Sequence, residues 1–289
     1  MNQRQIYLSF LSGVVLFLIF GCVIPESNHV EPEYHILFNT GSDNNHSSTE
    51  SPSFHLREVN LPSYLEDNRI IQRNNTSSLI YRENDRWGEP LAEGISRVMA
   101  LNIAGGLKTL NYSSYPHRPK PSCLYELSVT VLSFEKINNK ETMGDFIVDI
   151  YNKNKILKQL KLRHIHQFDG NSISVEIEAL SQVLNFICQK ISSEINQMPL
   201  TQLYLARIDQ LDFIDEPIEE IIQTLRNSYS KAYNREDIDF KIFISNLDYR
   251  RKLTLSFSNE NLFDICESVA RLAGLRFSSS GSCFNFSDN

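Results

Sequence analysis

The residue types best suited to chemistry fall in three places. His164 and His166 stand two apart on a run expected to be a strand, so both imidazoles project from one face, with Asp169 close behind. Two imidazoles and a carboxylate are a ligand set for zinc or a similar cation. Asp169, however, falls in a turn, and histidines on an exposed strand need no ion, so no metal is expected. Asp85, Glu89 and Glu93 surround Trp87 ahead of Pro90. Carboxylates there suit the positive end of a helix, a structural role that outweighs proton transfer. Gly105-Gly106-Leu107-Lys108-Thr109 has the residue types of a phosphate loop, but it follows a helix and lacks the upstream glycine at the required spacing. The sequence has no serine elbow, zinc-protease helix or calcium loop motif. The chain is therefore read as a non-enzyme with no catalytic residue.

The elements that position these residues follow from periodicity. Pro62 fixes its own φ and biases Leu61 away from helix, so Ser63 and Tyr64 are entered extended or turning. Pro90 suits a helix start, and Leu91, Ile95, Val98, Met99, Ile103 and Leu107 recur at helical spacing, with Gly105-Gly106 near the end. Leu124 to Glu135, Phe146 to Tyr151 and Ile156 to His166 read as an antiparallel meander. Ile173, Ile177, Leu180, Leu184, Ile187 and Ile191 mark a long helix over residues 172–196. Upstream, Tyr34 to Phe38 is a short strand, residues 39–53 a mobile Ser/Asn/Thr-rich loop, and Phe54 to Asn60 a strand at a sheet margin. Met198-Pro199 marks a boundary. Beyond it come a strand from Tyr204 to Phe213, a helix capped by Asp215 with Pro217 in its early turn, strands at Asp239 to Phe243 and Leu253 to Phe257, a helix from Asn261 to Gly274, and a closing hairpin. The expected class is α+β. A first domain, 34–197, has a mixed or antiparallel sheet backed by two helices, and a second, 201–289, is a small β-α-β / β-α-β-β module.

Thirty-five acidic residues against 28 basic ones leave a net charge of −7, with no basic run to track a phosphate backbone, so nucleic acid is excluded as a partner. The same acidity disfavours adhesion to anionic lipid, and membrane attachment must come from an anchor. Met1 to Cys22 supplies one: Arg4, an apolar run from Ile6 to Phe20, then Ile19-Phe20-Gly21-Cys22, which resembles a bacterial lipobox. Residues 1–21 are then a signal peptide, Cys22 carries covalent lipid, and 22–33 is a tether. The rival is an uncleaved signal anchor, since residues 6–24 are long enough to span a bilayer. Lipidation is preferred because the cysteine closes the apolar run behind a glycine. Val23 stands where an inner-membrane retention signal would place Asp, which points to the outer membrane. Cys123, Cys188, Cys266 and Cys283 match no zinc spacing; a Cys266–Cys283 bridge is one of three pairings, and buried free thiols are the simpler account.

LPSYLEDNRIIQR followed by RWGEPLAEGISRVMALNIA resembles the YmbA/PqiC family of ABC-type transport auxiliary lipoproteins, over residues 34–196. That resemblance implies a lipid-anchored accessory at the periplasmic face of the outer membrane. It would dock or cap an MCE-type lipid-transport assembly with its ABC permease, as a ring-forming homo-oligomer, with no cofactor beyond the lipid. Tyr64, Arg73 and Trp87 are the residues nominated for partner recognition. LTLSFSNENLFDICESVARLAGLRFSSSGSCFNF resembles the secretin and TonB-receptor short N-terminal domain, over residues 203–289. It implies an alternative role as a lipoprotein scaffold of a secretin- or receptor-type envelope complex.

Overall fold

The computed structural model describes residues 30–41, 51–119, 123–233, 239–243, 252–280 and 283–288. The expected signal peptide, Cys22, most of the expected tether and residues 42–50 of the expected loop lie outside them. The described residues from Glu33 onward pack as one unit.

Strand β6 (Tyr125–Asn138) is the axis of the first sheet because its two edges are used differently. One edge pairs antiparallel with β7 (Glu141–Asn152) from Glu126↔Tyr151 to Asn138↔Glu141. The other is shared: β2 (Phe54–Asn60) runs parallel to its first half, and β3 (Arg69–Arg73) meets its far end at Gln72↔Lys136. Beyond β3 lie β4 (Leu79–Trp87), antiparallel, and β1 (Glu33–His35), parallel to β4. Short β5 (Tyr112–Ser114) flanks β2, and β8 (Lys155–Gln167) flanks β7, completing a mixed eight-stranded sheet that contains the expected meander. The alternating Tyr125, Leu127, Val129 and Val131 of β6 are all buried, as a strand covered on one face requires.

The strand expected at a sheet margin, Phe54–Asn60, is interior. Its register shifts between Leu56 and Val59, so Phe54, Leu56 and Val59 all reach the core despite their odd spacing. An irregularity of this kind breaks the period of two on which the sequence reading relied.

Helices α1 (Leu91–Leu107) and α2 (Ile173–Gln197) bury their apolar stripes in the same core as the sheet. Ser172 caps α2 by accepting the Val175 N–H. Gly105-Gly106 do not end α1; the left-handed cap is Lys108, at φ 54°. Gly106 serves the crossing instead, since a Cβ there would stand 2.4 Å from Ser192 Oγ on α2. Ser192 Oγ also donates to Ile103 O at 3.4 Å, so the two helices approach closely enough for side chain to meet backbone.

Tyr204 lies in a helix and not at a strand start. Residues 199–205 wind into α3 (Pro199–Leu205), with Pro199 in its first turn and Leu200, Thr201 and Leu203 buried. The strand begins three residues later as β9 (Arg207–Pro217). Thr201 Oγ1 donates to Ile195 O at 2.6 Å and pairs with Tyr125 OH at 2.7 Å, tying α3 to α2 and to β6. Asp215 does not act through a helix cap: it takes a positive φ of 57° and its carboxylate accepts from Lys252 Nζ at 2.8 Å.

The remaining elements follow the expected order. Helix α4 (Ile218–Tyr233) precedes β10 (Asp239–Phe243), and β11 (Lys252–Asn261) pairs antiparallel with β9. Helix α5 (Leu262–Ala273) is capped by Asn261, which accepts the Asp264 N–H at 2.8 Å, and closed by Gly274 at φ 74°. Strands β12 (Leu275–Ser280) and β13 (Cys283–Asp288) form the hairpin, with β10 parallel on the other edge of β13. Phe240, Phe277, Phe284, Phe286 and Tyr229 pack there with ring centroids 5.1–6.4 Å apart.

Candidate functional site

Two of the residues nominated for recognition converge on a third that the sequence did not flag. Glu135, near the far end of β6, is 1% exposed. Its Oε1 accepts from Arg73 Nε at 2.8 Å and Nη2 at 2.5 Å, and its Oε2 accepts from Tyr64 OH at 2.9 Å and from Phe134 N at 2.8 Å. A buried carboxylate with four donors is satisfied in both charge and hydrogen bonding. Burial, and then the Glu135 charge, push the Tyr64 phenol well above its ordinary value, while its bonds to Glu135 hold Arg73 more firmly protonated. Arg73, nominated for partner recognition, is therefore committed to an ion pair with a buried carboxylate of its own chain.

Trp87 stands apart from this cluster. Arg73 pairs with Leu79 at the start of β4, whereas Trp87 ends that strand, and its indole is buried at 7% exposure. The structure brings Tyr64 and Arg73 together and leaves Trp87 in the core.

A second buried carboxylate, Glu176, holds the first turn of α2 to the sheet. Its Oε2 accepts from Arg82 Nη2 at 2.5 Å and lies 3.3 Å from Lys136 Nζ. Arg82 also faces Asp85 at 3.7 Å, and Asp85 meets His35 Nε2 at 3.2 Å, so one chain of charges joins β1, β4, β6 and α2. Donor atoms of Glu33, His35 and Asp85 lie within 4.8 Å of one another. With the Arg82 guanidinium already facing Asp85, that grouping is an ion-pair joint in which positive charge is supplied by the protein.

The His164 and His166 rings are 6.2 Å apart, but His164 lies flat on Phe186 at 3.8 Å, and burial followed by the His166 charge depress its pKa. The Asp169 side chain points to solvent opposite Lys140, so it does not complete a ligand set with the two histidines. Glu89 pairs with Arg97 at 2.5 Å and Glu93 faces His117 at 3.9 Å, keeping the carboxylates near the α1 start in local pairs. Cys123, Cys188, Cys266 and Cys283 are free thiols. Among the described residues, no helix is long and apolar enough to cross a membrane.

A large mixed sheet sharing one core with two long helices, its buried carboxylates held in ion pairs between elements, defines a mixed α/β protein. A model of the ABC-type transport auxiliary lipoprotein component matches residues 34–192, more than half of the chain, and the chain belongs to that family. It is an accessory lipoprotein component of the ABC-type transport class.

Similar solved structures include an uncharacterized protein at 15% identity, covering 57% of this chain and 99% of that one, TM-score 0.49. Protein XCC0632 of Xanthomonas campestris, from family DUF330, is 10% identical over 55% of this chain and 92% of its own, TM-score 0.47. A PelC dodecamer from Paraburkholderia phytofirmans is 9% identical over 48% and 90%, TM-score 0.29. No curated protein sequence matches the chain.

Proposed function

We propose that this chain is the lipid-anchored accessory protein of an MCE-type, ABC transporter-linked system that moves lipid between membranes, and that it works by docking and scaffolding. The observation that carries this reading is the family match over residues 34–192, which takes in nearly all of the first sheet, α1 and most of α2. In this account residues 1–21 are removed, Cys22 is acylated, residues 22–33 reach from the outer membrane, and 34–197 and 201–289 act as two modules. Tyr64 and Arg73 shape the recognition surface by fixing the turn before β3 onto Glu135, and a homo-oligomeric ring presents several such surfaces. Affinity purification of the tagged, lipidated chain from membranes tests this. MCE-domain and permease subunits are the expected companions, and their absence beside other envelope proteins overturns the assignment.

A second reading is favoured by one observation, the β9-α4-β10, β11-α5-β12-β13 order. It makes residues 201–289 a scaffold module for a secretin- or TonB-receptor-type complex. Recovery of a secretin in place of MCE subunits selects it.

A further inference from the structure

Strand β8 is the outermost strand of the first sheet: among the described residues it pairs with β7 alone. Its composition departs from the acidic character of the chain, since Lys155, Lys158, Lys161 and Arg163 stand on it and no carboxylate does. Strand β9 is the opposite case. It pairs with β11 alone among the described residues, and it carries Asp209, Asp212, Asp215 and Glu216 against the single Arg207. Each strand thus keeps one edge with no strand against it, and a free edge is a template for pairing.

The charges on these edges are only partly neutralised within the molecule. Lys155 and Lys158 reach Ser279 O and Glu194, and Asp215 pairs with Lys252. The side chains of Lys161 and Asp209 have no partner among the described residues, and Arg163 reaches Met143 Sδ at 3.1 Å. Apolar side chains accompany them: Ile165 on β8 is 43% exposed and Ile214 on β9 is 77% exposed. The intervals agree as well. Lys155, Lys158 and Lys161 recur every three residues, as Asp209, Asp212 and Asp215 do, a rise of about 10 Å between successive charges on either strand.

Like charges opposed across a strand pair are unfavourable and unlike charges favourable, which decides the geometry of pairing. Two copies of β8 side by side oppose cations to cations, and two copies of β9 oppose carboxylates to carboxylates. From this we infer that the β8 edge of one copy takes the β9 edge of a second copy, extending the eight-stranded sheet by strand addition. Main-chain hydrogen bonds hold the pair and the charges select the partner, since exposed ion pairs contribute little by themselves. The contact is head-to-tail, so copies joined this way continue into a ring or an open filament. The inference rests on the homo-oligomer proposed above and names the two surfaces that join it.

Native mass spectrometry of the full lipidated chain in non-ionic detergent counts the copies per particle and tests it. Lys161→Glu/Arg163→Glu, and separately Asp209→Lys/Asp212→Lys, are each expected to weaken self-association about tenfold or more, with circular dichroism showing both folded. Mixed in equal amounts, the two variants are expected to reassemble with alternating composition, because the acidic β9 of one meets the basic β8 of the other and the two reversed edges match in turn. Particles that keep their copy number in both variants leave the homo-oligomer standing and overturn this interface. Wild-type chain that stays monomeric overturns both and turns the β8 edge toward an acidic strand of another protein. Folded variants that dissociate but do not reassemble on mixing overturn the pairing of these two edges.

Discussion

Tyr64 donates a 2.9 Å hydrogen bond to Glu135, closing the short turn that follows Pro62 onto the far end of β6 across 71 residues of sequence. Arg73 reaches the other carboxylate oxygen, so Glu135 is the fixed point on which the turn and β3 are aligned. Arg73→Ala leaves a buried charge without its cation and is expected to destabilise the protein by about 3–5 kcal/mol. Tyr64→Phe removes one hydrogen bond and should lower stability by about 1 kcal/mol. Urea unfolding with an unchanged m-value checks the ranking; equal effects would show that the ion pair does not hold the turn.

Gly106 and Ser192 set the crossing of α1 and α2. Alanine is the better helix former, yet the added Cβ would sit 2.4 Å from Ser192 Oγ and 2.7 Å from Ser192 Cβ. Gly106→Ala should destabilise by about 1–3 kcal/mol, and Ser192→Gly in the same chain should recover part of the loss. Thermal unfolding of the four members of the cycle measures the coupling, and additive effects would rule out the contact as the cause.

Two titrations report local structure. The Arg69 side chain, then its backbone N–H, bond to Asp67 and lower that carboxyl from its ordinary 3.8 to about 2. The folded state thus binds fewer protons than the unfolded chain in this window. Asp67 contributes stability that is present above its unfolded pKa and lost as pH falls through about 2. Carboxyl chemical shifts should show Asp67 titrating near that value and returning toward 3.8 in Arg69→Gln. His164 is the mirror case. Its depressed pKa means the unfolded imidazole takes up a proton first, so stability falls as pH drops below the ordinary 6.5 of histidine. Phe186→Ser should restore a normal imidazole titration by exposing the ring.

Burial pushes the Cys188 and Cys266 thiols well above their ordinary values. Native protein should alkylate at neither, and unfolded protein at both, while Cys22 stays blocked in either state if lipid occupies it. Peptide mass spectrometry separates the five sites. Alkylation of Cys22 in protein taken from membranes would remove the anchor from the account.

How far the sequence carried depends on the element. Segments with an unbroken period, such as Tyr125 to Val131 or the α2 stripe, were legible because packing only had to accept what the pattern offered. Phe54–Asn60 was misplaced because the register shift after Leu56 lies in pairing, which a single strand does not encode. Tyr204 read as strand because its apolar neighbours suit either element, and the buried Thr201–Tyr125 bond that favours helix joins residues 76 positions apart. Glu135 and Glu176 escaped notice for the same reason: a carboxylate within an apolar pattern looks like a solvated interruption until its arginine is found. The signal that was present is the flanking pattern itself, Phe134 before one and Ile177 after the other.

The central claim is that this chain works by contact from a lipid anchor. A photo-crosslinking residue placed in living cells at Ile36, exposed beside β1, and in parallel at position 80 on β4, where Ile80 is exposed, tests it most directly. The account predicts crosslinks to an MCE-domain subunit that vanish when residues 1–22 are replaced by a signal sequence cleaved without lipidation, which frees the protein from the membrane. Crosslinks that persist unchanged in that unanchored chain, or that join only proteins unrelated to ABC-type transport, would contradict it.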